Sequence, residues 1–352
     1  MKNNKKISIF LVIIMFFLII LSACGKIVQK EHEDISRTEF MMDTVITIKI
    51  YDKIDENVFD AVFDRLKEIE NRMSKTIENS DISNINAKAG IEPVQVHDDV
   101  YYVLKKALYF AKLSNGAYEP TIGPLVELWN IKGEYENEVK TLPDESKIHE
   151  SLEKIDYNKL KLLEDNKVFL KEKGMKVDLG GIVKGYAADE TKRILKEKGV
   201  KSAIIDLGGN IYAYGSKPSG EAWKIGIQNP FDLSNHIGIV NAVDNSIVTS
   251  GDYERYFELN GKRYHHIIDS KTGYPSQNEL SAVSVITKDS IDGDALSTAL
   301  FVLGIQEGQE LLEKVNNANA LFITKEKQVY VPSSFEDNFK LKNNEFKIMN
   351  NK

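Results

Sequence analysis

The chain has 352 residues, 42% of them hydrophobic and 28% charged, with a formal net charge of −7 at pH 7. This is a globular composition with enough apolar material for a sizeable core, in one large domain or two interlocked ones. The lysines at 2, 5 and 6 stand in a leading segment without acids, which leaves roughly −10 on the rest. An acidic body argues against non-specific nucleic-acid binding, which needs Lys and Arg to displace counterions.

The chain opens with Lys2, Lys5 and Lys6, an apolar run "ISIFLVIIMFFLII", and "LSAC". A positive stretch, an apolar stretch and small residues before a cleavage point describe a secretory signal over residues 1–23. Leu21-Ser22-Ala23-Cys24 resembles a bacterial lipobox, with Cys24 as the lipidated new N-terminus. Cys24 is also the only cysteine. The expectation is a body on the extracytoplasmic face of the cell membrane, anchored by lipid. Residues 24–39 read as a polar tether, 40–340 as the folded body and 341–352 as a polar tail.

"TVITIKIY" places Ile46, Ile48 and Ile50 on one face at period two and predicts a strand. Asn57 can cap a helix in which Val58, Val62, Leu66, Ile69 and Met73 recur at helical spacing. A second helix is predicted from Asp98 or Asp99 to Asn115-Gly116. "EYENEVKTLPDESK" reads as a surface loop, and "SLEKIDYNKLKLLEDNKVFLKEKGMKVDL" as short strands and turns. "VDLGGIVKGYAADE" reads as a strand, a Gly-Gly turn and a helix. "SAIIDLGGNIYAYG" repeats Asp-Leu-Gly-Gly between two strands. Strands are predicted at "WKIGIQ", "HIGIVNAVDNSIVTSG", "RYHHIID" and "SAVSVIT". "GDALSTALFVLG" predicts a buried helix, and "ANALFITKEKQVYVP" a closing hairpin. Helices and strands mix without a strict βαβ rhythm, so the fold class is α+β.

Four stretches can carry chemistry. At the first Asp-Leu-Gly-Gly, paired glycines allow close backbone approach, and the helix after it offers free N–H groups to an anion, with Lys184 in its first turn. The same residues equally describe a tight structural turn. Gly208 and Gly209 in the second copy read as a structural bend. In "IDGDALSTALFVLG", Asp294, Ser297 and Thr298 share a helix face and offer only oxygen, which suits a hard cation such as Mg²⁺; the alternative is a capping Asp with a Thr bonded to the backbone. His265 and His266 point to opposite faces of a strand, and "DSKTGYP" is a turn by composition.

Taken together, "MDT" at Met42, "MSKTIENSDISNIN", "GAYEPTIGPLVELW", "VDLGGIVKGYAAD", "DLGGN", "TSGDYERYF", "HIIDSKTGYP" and "DALSTALFVLG" resemble the ApbE family of FAD:protein FMN transferases, in the family's order and across about Phe40 to Pro332. The resemblance implies FAD as substrate, Mg²⁺ bridging its diphosphate, transfer of FMN to a Thr or Ser hydroxyl of another protein, and release of AMP. It implies that Met42, Ala117, Tyr118, Glu119, Asp178, Lys184 and Ile268 contact FAD, with Thr76 at the flavin-facing position. It implies Mg²⁺ held by Asp294, Thr298 and the Gly181 carbonyl. The acceptor hydroxyl needs a base within hydrogen-bond reach; His266 is the candidate and Asp294 its rival. Implied acceptors carry D-x-x-[ST]-G-[AS]-[ST] and belong to membrane electron-transfer complexes.

Two residues depart from the family pattern. Thr76 replaces an aromatic that stacks near the flavin, which favours FAD diphosphatase activity as an alternative. Ser297 stands where some members have a second Asp, which favours one metal over two. A non-enzymatic flavin-binding lipoprotein is the third reading. Asp269, Thr272 and Gly273 match half of the acceptor motif, but Tyr274 and Pro275 break it, so self-modification at Thr272 is not expected.

Overall fold

The computed structural model describes residues 34–131 and 141–350. Cys24 and the signal segment lie outside the described residues. In chain order the regular elements are β1 (Ile35–Met41), β2 (Thr44–Ile50), α1 (Asn57–Met73), α2 (Asp81–Ala87), β3 (Val94–Gln95), α3 (Asp98–Leu113), α4 (Gly123–Trp129) and α5 (Glu145–Leu152). After these come β4 (Leu160–Leu163), β5 (Lys167–Leu170), α6 (Val183–Glu197), β6 (Ala203–Leu207), β7 (Asn210–Tyr214), β8 (Trp223–Gln228), β9 (His236–Ala242) and β10 (Asn245–Gly251). The chain closes with β11 (Tyr256–Leu259), β12 (Lys262–His265), β13 (Leu280–Thr287), α7 (Ser290–Leu312), β14 (Asn319–Thr324), β15 (Gln328–Val331), β16 (Phe339–Leu341) and β17 (Lys347–Asn350).

A nine-stranded sheet in the order β1-β2-β6-β7-β10-β13-β14-β15-β17 organises the fold. Its pairs are antiparallel except β15 with β17. This is the α+β arrangement expected from the sequence. One face meets α1, α3, α6 and α7 through Ile46, Ile48, Ile205 and Val283. On the other face, Ala213, Ile247, Ala282 and Ile323 pack against Trp223, Ile225 and Val240 of the small sheet β16-β9-β8. β13 is therefore buried along its whole length, which explains an apolar run without clean alternation.

The predicted apolar stripe of α1 is buried at Val58, Val62, Leu66, Ile69 and Met73. Asn57 is the first helical residue rather than the cap; its N–H donates to Asp55 Oδ1 at 3.0 Å. α3 ends as predicted: Asn115 and Gly116 take positive φ, and Gly116 N donates to Ala111 O at 2.8 Å, a Schellman-type closure. α7 is broken at Gly304, where φ is 76° and Ile305 N donates to Glu279 Oε1 at 2.9 Å.

Three expectations are corrected. The tether ends earlier than residue 39, because Ile35–Met41 is the edge strand β1, paired in register with β2. Edge position tolerates its polar residues. The tail is not a tail, because Lys347–Asn350 adds β17 beside β15, in parallel. The surface loop read over 134–147 ends earlier, because its last three residues begin α5, whose Ile148 is buried against Leu125 and Trp129.

Candidate active site

The first Asp-Leu-Gly-Gly turn delivers the chain into α6, and α7 crosses beside it. The two helices touch closely at Gly185: a Cβ there would stand 2.3 Å from Ser290 O. This approach brings Asp294 to the first turn of α6. Asp294 Oδ2 accepts from Gly185 N at 2.8 Å, and the Lys184 N–H donates to the same carboxylate. The helix N-terminus therefore holds the chain's own carboxylate, where the sequence suggested an external anion. Asp294 is buried; burial raises its pKa, opposed by the Lys184 ammonium and these N–H groups.

Gly181 lies against both remaining partners. A Cβ on it would stand 3.0 Å from Thr298 Oγ1 and 3.4 Å from Tyr118 Cε2. Gly181, Asp294 and Thr298 thus lie at one turn, two of them on α7 and one more than a hundred residues before it. Ser297 is fully buried and committed elsewhere: its hydroxyl donates to Asp294 O at 2.9 Å and pairs with Ser250 Oγ at 2.8 Å. Tyr118 Oη is buried and has no hydrogen-bond partner among the described residues. Burial first, then the charges of Asp294, Asp178 and Glu119, keep that phenol protonated. An orphaned donor beside an all-oxygen cluster fits a site built for a hard cation and a polar ligand.

Asp178 stands at the mouth of the same turn. Its Oδ1 accepts from Gly180 N at 2.8 Å, and its Oδ2 accepts from Lys75 Nζ at 2.6 Å. The second turn contributes from behind. Asp206 Oδ1 accepts from Gly209 N at 3.1 Å; burial raises the carboxyl, while N–H groups and Lys184 pull it down. Lys184 is thereby the shared counter-charge of Asp206, Glu254 and Asp294.

The two histidines part at the end of β12, which stops at His265 and leaves His266 in the bend after it, not on the longer strand the sequence suggested. His265 is buried edge-on to Phe301, with Nε2 at 2.8 Å from Ser276 O and Nδ1 accepting from Ile267 N. Burial lowers its pKa to about 4. His266 is partly buried. Burial, then Arg255 and His265, lowers it to about 3, with Lys184 contributing. Its backbone N–H donates to Arg255 O at 3.0 Å, and its ring Nδ1 lies 3.3 Å from the same oxygen. Arg255, just before β11, in turn donates to Asp43 O at 3.4 Å, which ties this segment to the β1–β2 turn. Met42 and Asp43 form that turn with φ of 50° and 60°, and Met42 N donates to Glu70 Oε1 at 2.7 Å.

The ApbE family model matches residues 42–322. The chain belongs to the ApbE family. It is 36% identical over 334 residues to the FAD:protein FMN transferase of Treponema pallidum, spanning 90% of this chain and 91% of that protein. It is 38% identical over 300 residues to an FAD:protein FMN transferase of Klebsiella pneumoniae, spanning 85% and 92%. The crystal structure of the ApbE protein of Thermotoga maritima superposes with a TM-score of 0.80 at 32% identity, covering 87% of this chain and 99% of that one. The flavin transferase ApbE from Vibrio cholerae gives 0.75 at 29%, covering 88% and 96%.

In this ApbE chain the first turn, Lys184, Tyr118 and the Asp294 helix face lie close together. Other predicted residues are placed apart from that turn or facing inward. Glu119 turns inward: Oε1 accepts from Thr121 N and Oγ1 at 2.8 and 2.7 Å, and Oε2 from Tyr157 N at 3.2 Å. Burial still pushes it up to about 7. Ala117 is buried behind it. Ile268 is a core residue beside Leu125 and Trp129. Thr76 is exposed, its hydroxyl 2.9 Å from Ser74 Oγ. "DSKTGYP" is a tight turn, closed by Gly273 N to Asp269 O at 2.8 Å and docked by Trp129 Nε1 on Gly273 O at 2.7 Å. Sequence reasoning missed Lys75, Asn86 and Arg255. The first two sit within the quoted "MSKTIENSDISNIN", but no spacing rule links them to residues about a hundred positions on.

Proposed function

We propose that this chain transfers FMN from FAD to a Ser or Thr hydroxyl of extracytoplasmic proteins and releases AMP. The observation that carries the proposal is the convergence of Gly181, Asp294, Thr298 and Lys184 at one turn, in a chain related along most of its length to FAD:protein FMN transferases. In the reaction the acceptor oxygen bonds to the FMN phosphorus, the bond from that phosphorus to the bridging oxygen breaks, and AMP leaves with that oxygen. The hydroxyl proton passes to a base. Such a transfer depends on charge neutralisation and in-line placement more than on covalent chemistry by the protein.

Asp294, Thr298 and the Gly181 carbonyl would hold Mg²⁺, which when bound would neutralise diphosphate charge. Lys184 adds a fixed positive charge beside them, and Tyr118 Oη supplies a donor with no other partner among the described residues. His266 is the base we favour. At neutral pH it is an uncharged imidazole, free to accept a proton, although its low resting pKa makes it a weak acceptor until negative charge arrives nearby. Asp294, already bonded to the α6 N-terminus, is the lesser candidate.

Thr76 supports a second reading, an FAD diphosphatase with water as acceptor. It is exposed and cannot stack on an isoalloxazine ring. The leading segment supports secretion, lipidation at Cys24 and a place on the extracytoplasmic face of the cell membrane; among the described residues no helix is long and apolar enough to cross a membrane. Incubation with FAD, Mg²⁺ and a D-x-x-[ST]-G-[AS]-[ST] peptide, read by mass spectrometry and AMP detection, separates the readings. An FMN adduct with AMP supports the transferase. AMP and free FMN without adduct supports the diphosphatase. No AMP in either case leaves a flavin-binding lipoprotein.

A further inference from the structure

The segment from Ser74 to α2 grips the first Asp-Leu-Gly-Gly turn at two adjacent residues. Lys75 Nζ donates to Asp178 Oδ2 at 2.6 Å. Asn86, in the last turn of α2, uses both ends of its amide on Val177. Nδ2 donates to Val177 O at 3.0 Å, and Val177 N donates to Asn86 Oδ1 at 2.7 Å. This is the pair of bonds that a neighbouring strand would make, supplied here by one side chain. Val177 is fully buried, so its peptide groups would otherwise lose water without replacement. On the far side, Asp178 N donates to Pro120 O at 2.9 Å. The grip is itself stiffened. Ser80 caps α2, accepting from Ser83 N at 2.9 Å, and its hydroxyl donates to Ser74 O at 2.5 Å. Lys75 and Asn86 are thus held by one short element.

We propose that Lys75 and Asn86 are positioning residues that set Asp178 for FAD: Asn86 through the backbone of Val177, Lys75 through the carboxylate itself. The inference rests on the reading that the first turn receives FAD. Lys75 has a further electrostatic task. A bare Asp178 carboxylate would repel an incoming diphosphate, and the ammonium at 2.6 Å offsets that charge. The hydrogen bonds of both residues end at Val177 and Asp178 and not at the oxygen cluster of Asp294, so the effect falls on substrate binding and not on the chemical step.

The test uses the full-length chain in detergent. FAD affinity is followed by flavin fluorescence at fixed Mg²⁺, and AMP release gives KM and kcat. Lys75→Met and Asn86→Ala each raise Kd and KM for FAD roughly tenfold, the scale of one lost charge-assisted or buried hydrogen bond, with kcat held within about threefold. Lys75→Arg restores affinity. Asn86→Asp does not, because it keeps the acceptor for Val177 N but faces Val177 O with a carboxylate oxygen. Should Asn86→Ala fail to fold, the two variants at the partly exposed Lys75 decide. Unchanged KM in Lys75→Met, or a fall in kcat alone, overturns the inference. Wild-type protein that neither binds FAD nor releases AMP overturns the functional reading instead.

Discussion

The two Asp-Leu-Gly-Gly turns use the same four residues for different ends. In the second, Gly208 and Gly209 take φ of +64° and +92° inside the hairpin between β6 and β7, a backbone that L side chains avoid. A Cβ on Gly208 would also stand 1.8 Å from Thr44 Oγ1. In the first, neither Gly180 nor Gly181 has positive φ, and the missing Cβ of Gly181 makes room for Thr298 and Tyr118. Glycine serves conformation in one turn and proximity at the site in the other. In both, the Asp carboxylate accepts a glycine N–H, which is the common structural core of the motif. The two turns then part into different elements: Val183 begins a helix and Asn210 a strand.

That contrast can be broken by substitution. Gly208→Ala should lose about 2–4 kcal/mol of stability from left-handed strain and overlap with Thr44, measured by urea unfolding, while the folded fraction keeps wild-type kcat. Gly181→Ala should do the reverse: unfolding within about 1 kcal/mol of wild type, but AMP release reduced at least roughly tenfold because the new methyl crowds Thr298. If both substitutions act on stability alone, the distinction between the turns fails.

Tyr118→Phe sharpens the assignment of the first turn. Removing a buried hydroxyl that has no partner among the described residues should leave the ligand-free protein as stable as wild type or more stable by about 1 kcal/mol. The same change should reduce the rise in Tm produced by FAD with Mg²⁺. A loss of ligand-free stability would mean that the hydroxyl is already satisfied within the fold.

The smallest effect concerns the second turn. Burial raises the folded pKa of Asp206 above its unfolded value. The folded state therefore holds its proton longer, and the contribution to stability is present below the unfolded pKa and lost as pH rises through the folded one. Asp206→Asn should remove that loss. Its stability relative to wild type should increase from about pH 3 upward and level off above the folded pKa, as read by thermal melts across pH. A difference independent of pH would place Asp206 in water.

Much of the fold was legible because it is written in periodicity. The α1 stripe, the end of α3 at Asn115-Gly116, the alternation in β2 and the closing hairpin each follow from local pattern. The missed α4 begins with Gly-Pro in a stretch punctuated by glycine and proline, and α5 carries few apolar residues. β1 and β17 read as polar segments because edge strands need little hydrophobicity. At the site, the face of Asp294, Ser297 and Thr298 follows from helical spacing, whereas the choice between metal site and capped helix came only with the motif order of the ApbE family. The Lys75 and Asn86 grip could not be read at all. It joins residues about a hundred positions apart through side chains whose reach only the packed fold defines.

The central claim is that the oxygen cluster at the first turn is where FAD is cleaved and FMN passed on. Asp294→Ala at saturating Mg²⁺, with FAD and an acceptor peptide, tests it most directly by AMP release and intact mass. The account predicts AMP formation and peptide adduct both reduced at least roughly a hundredfold, with the fold intact by circular dichroism. AMP released by that variant at the wild-type rate would contradict it and move the reaction away from α7.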